Sequence, residues 1–213
     1  MKLNRNDLCW CGSQKKYKKC HLAFDEKLEQ LKQQGKKIPT HKMIKTPEQI
    51  EGIKKAAVIN SGLLDYIEAN IKVGMTTEEI DVMAKEYTAK YGAVCADYQY
   101  MGYQKHICVS INDVVCHGIP NEQTILQEGD IVNVDATTML NGYYADASRM
   151  FMIGKVSNEA KKLVSDTKKA LELGMASVSP IKVVLATLVK QSKHLLKLWV
   201  IVLLENFVVM VLV

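Results

Sequence analysis

Asn141-Gly142 lies between two runs of alternating strand-like character and is the strongest short-range signal for a two-residue β-hairpin turn. Such a turn needs positive φ at both central residues, which Asn and Gly tolerate. A two-residue turn sets Leu140 opposite Tyr143, and continuing that register sets Thr137 opposite Asp146. Strand side chains alternate with period two, so Asp135 shares the face of Thr137. The carboxylates of Asp135 and Asp146 then project from one side as diagonal neighbours, roughly 7 Å apart at the backbone. That spacing suits two divalent cations held about 4 Å apart. Two solvent-facing aspartates on a surface hairpin are the alternative reading of the same residues.

The rest of the chain supplies helices to cover such a hairpin. Its 213 residues, 48% of them apolar, are enough for one sizeable core and a small appended module. Thr46-Pro47-Glu48-Gln49 is a capping-box start with proline at the first helical position, followed by helical spacing at Ile50, Ile53, Ala57, Leu64 and Ile67. A second helix is predicted from Thr76, which can cap with Glu79, to Gly92, and a third over residues 157–174. Strands are predicted over residues 107–115 and 129–134. Helices mixed with antiparallel hairpins define an α+β domain.

The N-terminal portion has a different texture. Residues 1–45 carry 12 basic against 4 acidic groups, a net of +8, whereas residues 46–180 carry 12 against 18, a net of −6. A basic head on a mildly acidic body suits a polyanionic partner such as nucleic acid or ribosome, with a solvated lysine-rich linker the plainer reading. Residues 1–7 are polar with no apolar run after them, so the expectation is a cytoplasmic protein whose six cysteines are thiols or metal ligands. Cys9, Cys11, Cys20 and His21 place four ligands within 13 residues, enough to close a tetrahedral structural zinc site. The expected organisation is a zinc module over residues 1–21, a charged helix or linker over 22–42, an α+β domain over 43–179 and a hydrophobic tail over 180–213.

Two resemblances sharpen this reading. Cys9-Trp-Cys11-Gly-Ser, a basic stretch and Cys20-His21 resemble the SEC-C zinc motif, which implies metal ligation by those four residues and docking to protein or ribosomal partners. Gln14 stands where that motif commonly has glycine.

Val-Cys116-His117-Gly-Ile-Pro, Val134-Asp135-Ala-Thr-Thr and Tyr144-Ala-Asp146-Ala-Ser-Arg-Met-Phe resemble, in order and at family spacing, three signatures of type I methionine aminopeptidases. The resemblance covers residues 43 to about 179. It implies the pita-bread fold and removal of the initiator methionine from nascent polypeptide N-termini by a monomer with two divalent metal ions, Co, Mn, Fe or Zn. Asp135 would chelate one ion and Asp146 would bridge both. His117 would contact the substrate during cleavage, and Tyr100, Tyr103 and Cys108 would line the methionine pocket. Gln104 and His106 replace the family's usual proline and serine near that pocket.

The family completes its metal shell with a later histidine and two glutamates, and these are missing from residues 181–213. A reading frame one nucleotide earlier can encode strings resembling the family's next helix and its histidine motif. A frameshift near Ser179 is therefore expected, leaving about the first half of the pita-bread domain, inactive and prone to aggregate. Lys197, Glu205 and Asn206 interrupt the apolar tail, so no membrane anchor is expected. The competing class is a zinc-dependent ribosome- or protein-binding module fused to an inactive peptidase remnant.

Overall fold

The computed structural model describes residues 3–176. The tail expected over 180–213, and the frameshift reading placed on it, lie outside the described residues. The chain divides into two units, Met1–Lys55 and one beginning at Ala56.

In the first unit, Leu8 bridges to Lys16 across a tight turn, and a short 3-10 turn, Tyr17–Lys19, leads to Cys20. Helix α1, Leu22–Gln33, follows immediately and buries Leu28. Of the two readings of this charged segment, helix or linker, the helix holds over Leu22–Gln33. A second 3-10 turn occupies His41–Met43.

Helix α2, Pro47–Asn70, opens with the predicted reciprocal cap. The Gln49 amide donates to Thr46 Oγ1 at 3.3 Å and the Thr46 amide donates to Gln49 Oε1 at 2.9 Å. Helix α3, Thr77–Lys90, repeats the device, with Glu79 N to Thr76 Oγ1 at 3.1 Å and Thr76 N to Glu79 Oε2 at 2.7 Å. Gly92, at φ +68°, turns the chain out of α3, which is why the helical pattern stops there.

Four strands follow: β1, Val94–Cys95; β2, Cys108–Ile111; β3, Ile131–Leu140; and β4, Tyr143–Met152. All pairings are antiparallel, with β3 between β4 on one side and β2 and β1 on the other. The predicted hairpin holds in full. Leu140 pairs with Tyr143 and Thr137 with Asp146, and Asn141 and Gly142 have φ of +52° and +80°.

The run predicted as one strand over 107–115 is shorter. Asn112 enters the left-handed region at φ +52°, donates its side-chain amide to Asp130 Oδ1 at 2.8 Å and accepts the Ile131 amide at 3.1 Å. The chain turns away there, so Val114 and Val115, apolar by sequence, are exposed. The run expected over 129–134 is the first half of the longer strand β3. Helix α4, Asn158–Ala176, completes the described elements, its first turn capped by Ser157.

One face of the sheet is dry. Leu63, Leu64 and Ile67 from α2 and Ile80 and Ala84 from α3 pack on Val109, Val132, Val134, Ala136, Phe151 and Ile153. The period-two burial of β3 follows: Val132, Val134, Ala136 and Thr138 are buried, while Asn133, Asp135 and Thr137 face the other way. Asn60 of α2 is the polar member of this interface. It donates to the Ala136 carbonyl at 3.0 Å and accepts from Thr138 Oγ1 at 2.8 Å, with 1% of its surface exposed. Replacing Asn60 by Ala strands both partners out of reach of water. The expected cost is about 2–3 kcal/mol, read as a lower urea midpoint at unchanged m-value.

Candidate metal centres and the hairpin site

Two groups of chemistry-bearing side chains stand out, one in each unit. In the first unit the ligand atoms of Cys9, Cys11, Cys20 and His21 all lie within 4.8 Å of one another. His21 Nδ1 is 3.2 Å from Cys9 Sγ and 3.2 Å from Cys20 Sγ, and Cys11 Sγ is 3.6 Å from Cys20 Sγ. Tetrahedral zinc, with Zn–S of about 2.3 Å and Zn–N of about 2.0 Å, places its ligand atoms roughly 3.5–3.8 Å apart. The donor set and its spacing fit such an ion.

The thiols are not equivalent. A hydrogen bond from Ser13 lowers the Cys11 thiol to about 6, while burial raises that of Cys9. Gly12 and Gln14 carry the turn between the ligands at φ +75° and +58°. Gln14 therefore takes a left-handed conformation that a side chain resists, at the position where the motif commonly has glycine. Gln14→Gly is expected to strengthen zinc retention against a competing chelator by about two- to fivefold, equivalent to roughly 0.5–1 kcal/mol of relieved strain.

The second group occupies the open face of the hairpin. Asp135 pairs with Ser148 on one side and with Cys108 on the other, and Asp146 pairs with Thr137. Thr137 links the two strands further, its hydroxyl donating to Asp146 Oδ1 at 3.2 Å. Its amide donates to Asp97 Oδ2 at 3.1 Å. Burial, with repulsion from Asp146, pushes the Asp97 carboxyl above the usual carboxylate range. Burial together with Asp146 and Asp97 does the same to Asp135, and His117 opposes it. Gathered carboxylates of this kind suit a hard divalent cation.

His117 is exposed and left-handed at φ +55°, in a turn held against β2 by Val109 N to Gly118 O at 2.9 Å and Gly118 N to Ser110 Oγ at 3.1 Å. The turn comes this close because residue 118 lacks a side chain: a Cβ there would sit 2.1 Å from the Val109 oxygen. Tyr103 donates its hydroxyl to the Ile107 carbonyl at 2.9 Å and accepts from Cys108 Sγ at 3.5 Å. Burial raises the pKa of both groups. Tyr100, 69% exposed, sits on a turn between two left-handed residues, Gln99 and Met101.

His106, one of the departures noted above, is fixed from behind. Buried Asp81 accepts the His106 amide at 2.6 Å, the Ile107 amide at 3.1 Å and pairs with His106 Nδ1 at 2.7 Å, while Tyr98 stacks on the ring. Sequence reasoning missed Asp97 and Asp81, and gave Thr137 its register position but no bond to Asp146. Asp97 reaches the hairpin only because β1 pairs with the far end of β3, a contact 40 residues apart in the chain that no local pattern announces.

The matches to known proteins agree with this geometry. The helix-covered antiparallel sheet, with Asp135 and Asp146 on its open face, is that of the pita-bread metallopeptidases. The chain belongs to metallopeptidase family M24, whose model matches residues 51–198, and residues 5–23 match the SEC-C motif. The methionine aminopeptidase of Chlamydia trachomatis is 40% identical over 185 residues, covering 84% of this chain and 62% of that protein. That of Escherichia coli is 41% identical over 138 residues, 64% of this chain and 52% of that protein. The crystal structure of the Rickettsia prowazekii methionine aminopeptidase superposes with TM-score 0.70 at 34% identity, covering 72% of this chain and 61% of that one. Prolidase from Pyrococcus furiosus, at 17% identity and TM-score 0.64, shares the fold. The chain spans about three-fifths of the length of the Chlamydia relative.

The raised carboxyls give a signed expectation for the cation-free protein. A carboxyl whose folded pKa lies above its unfolded value opposes folding when ionised, and the penalty disappears as pH falls through the folded pKa. Asp135→Asn should raise the cation-free melting temperature at pH 7 by about 1–2 °C, a small effect because the group is half-buried. The gain should vanish in thermal scans at pH below the ordinary carboxylate range.

Proposed function

We propose that this chain serves the removal of the N-terminal initiator methionine from nascent proteins, as a dinuclear metal-dependent aminopeptidase. The observation that carries the reading is the placement of Asp135 and Asp146 as diagonal neighbours on one open sheet face, in a chain 40% identical to a methionine aminopeptidase over 84% of its length. Asp135 and Asp146 would supply carboxylate ligands to the divalent ions. Those ions, Co, Mn, Fe or Zn, polarise the scissile carbonyl and lower the pKa of water when bound.

The chain's own residues supply the rest. His117, on its left-handed turn beside β2, presents its imidazole to the scissile peptide. Tyr103 and Cys108, linked to each other and half-buried, form the wall against which the methionine side chain packs, and Tyr100 closes its rim. Thr137 steadies Asp146 through its hydroxyl. Cys9, Cys11, Cys20 and His21 hold one structural zinc in a module over residues 1–21, and the basic head associates with the ribosome in the cytoplasm. The working form is a monomer. Among the described residues no helix is long and apolar enough to cross a membrane.

A second reading has its own support: the cysteine-histidine cluster is the one group of three or more ligands in contact range among the described residues. In that reading the head is a zinc-dependent ribosome- or protein-binding module beside a silent peptidase unit.

Two measurements on the zinc-loaded chain decide between them. Paramagnetic relaxation by added Mn²⁺ should report binding at the hairpin, weakened more than about tenfold by Asp135→Asn and by Asp146→Asn. With the same cation present, methionine release from a Met-Gly-type peptide above a metal blank, stopped by both variants, would support the aminopeptidase reading and overturn the inactivity expected of a chain without the family's later histidine and glutamates. Release that persists in both variants removes the two aspartates from the reaction. Cation binding at the hairpin without release leaves the interaction-module reading in place.

A further inference from the structure

Three donors converge on one carboxylate in the first unit. Trp10 Nε1 donates to Asp25 Oδ2 at 2.9 Å, and the Tyr17 hydroxyl donates to the same oxygen at 2.7 Å. His41 Nε2 lies 3.2 Å from Asp25 Oδ1. The Asp25 side chain is 13% exposed, and burial together with this carboxylate pushes the Tyr17 phenol up to about 12. None of these residues is a metal ligand.

Trp10 connects them to one that is. Its indole stands between two imidazoles, with ring centroids 4.5 Å from His21 and 4.3 Å from His41, the latter nearly parallel at 11°. Trp10 is also flanked in sequence by Cys9 and Cys11. Asp25 sits one turn into α1, its amide bonded to the His21 carbonyl at 2.9 Å. The ligand His21, helix α1 and the segment after it therefore share one side-chain junction. An extended chain over residues 22–43 could reach about 70 Å. Here the 12 residues of α1 rise only about 18 Å, and the chain beyond them brings His41 back to Trp10.

We propose that Asp25 and His41 are positioning residues of the cysteine-histidine metal site, acting through Trp10, so that metal binding folds residues 22–43 back onto the head. The inference rests on the reading that Cys9, Cys11, Cys20 and His21 hold zinc. Outer contacts that orient a ligating imidazole tune metal affinity, and removing them typically costs ten- to a hundredfold. Coupling of two equilibria is reciprocal: whatever the docked segment adds to zinc affinity, zinc adds to docking. The segment from 22 to 43 is then a spacer whose length depends on the metal, short when the site is loaded and long when it is stripped.

The test uses the full chain. Zinc affinity is measured by chelator competition, coordination by the visible spectrum of the Co²⁺-substituted protein, and order over residues 22–43 by amide hydrogen exchange. Exchange over 34–43 should rise at least about tenfold when zinc is stripped. Asp25→Asn should weaken zinc retention by about tenfold, and His41→Ala should weaken it less while raising exchange over 34–43 in the loaded protein. His41→Phe, which keeps the stack and loses the bond to Asp25, should fall between His41→Ala and the unaltered chain. An unchanged Co²⁺ spectrum in the His41 variants would show that the site itself still folds.

Zinc affinity unaltered in all three variants, or exchange over 22–43 indifferent to zinc, overturns the coupling while leaving the ligand assignment intact. A chain that takes up no zinc at this cluster overturns both.

Discussion

The left-handed pair Asn141-Gly142 is the constraint on which the peptidase unit depends. A turn one residue longer would slip β4 against β3 by one position and send every side chain of β4 to the opposite face. Phe151 and Ile153 would then leave the core, and Asp146 would move from the face of Asp135 into apolar surroundings. Apolar burial and the carboxylate pairing thus demand the same register, one from each side of the sheet. The local choice and the tertiary outcome agree, which is what a sequence that specifies one structure requires.

The two units reach order by different means. From Ala56 onward the chain has enough apolar surface to bury Leu63, Ile67, Ile80, Val132 and Val134 completely. The head has Leu28 and little else, and its second source of cohesion is polar: one carboxylate shared by an indole, a phenol and an imidazole beside three thiols. A segment of this kind gains most of its folding free energy from a ligand ion. With zinc at the cluster, as proposed, its stability would follow metal supply, whereas that of the sheet rests on its apolar core.

What could be read from the chain alone was whatever is governed by short-range chemistry. The two capping boxes at Thr46 and Thr76, the exit of α3 at Gly92 and the register of the hairpin are all set within four or five residues, and all appear where expected. The strand over 107–115 was overestimated because Val114 and Val115 look apolar, while the left-handed Asn112 that ends β2 is stabilised by Asp130, 18 residues away. Asp97, Asp81 and Asn60 were illegible for the same reason. Each is placed by partners 25 to 78 residues distant, and nothing in the flanking residues marks a lone Asp or Asn as a long-range clamp. The clustering of Cys9, Cys11, Cys20 and His21 was legible because their spacing is itself the signal, but the contacts of Asp25 and His41 with Trp10 beside that cluster were not.

Gly118 carries a consequence of another sort. Its missing side chain lets the His117 turn lie on the backbone of β2, so the histidine is located by the Val109 amide and the Ser110 hydroxyl of that strand. Neighbouring residues contribute little to that location: Val115 and Ile119 are each 63% exposed. Substitutions around the histidine are therefore free to change the chemistry and texture of the surface while its coordinates stay put. For anyone recombining this region between relatives, the unit of exchange is the pair formed by the glycine and the strand beneath it, and a loop transplanted without that strand would arrive with its histidine in the wrong place.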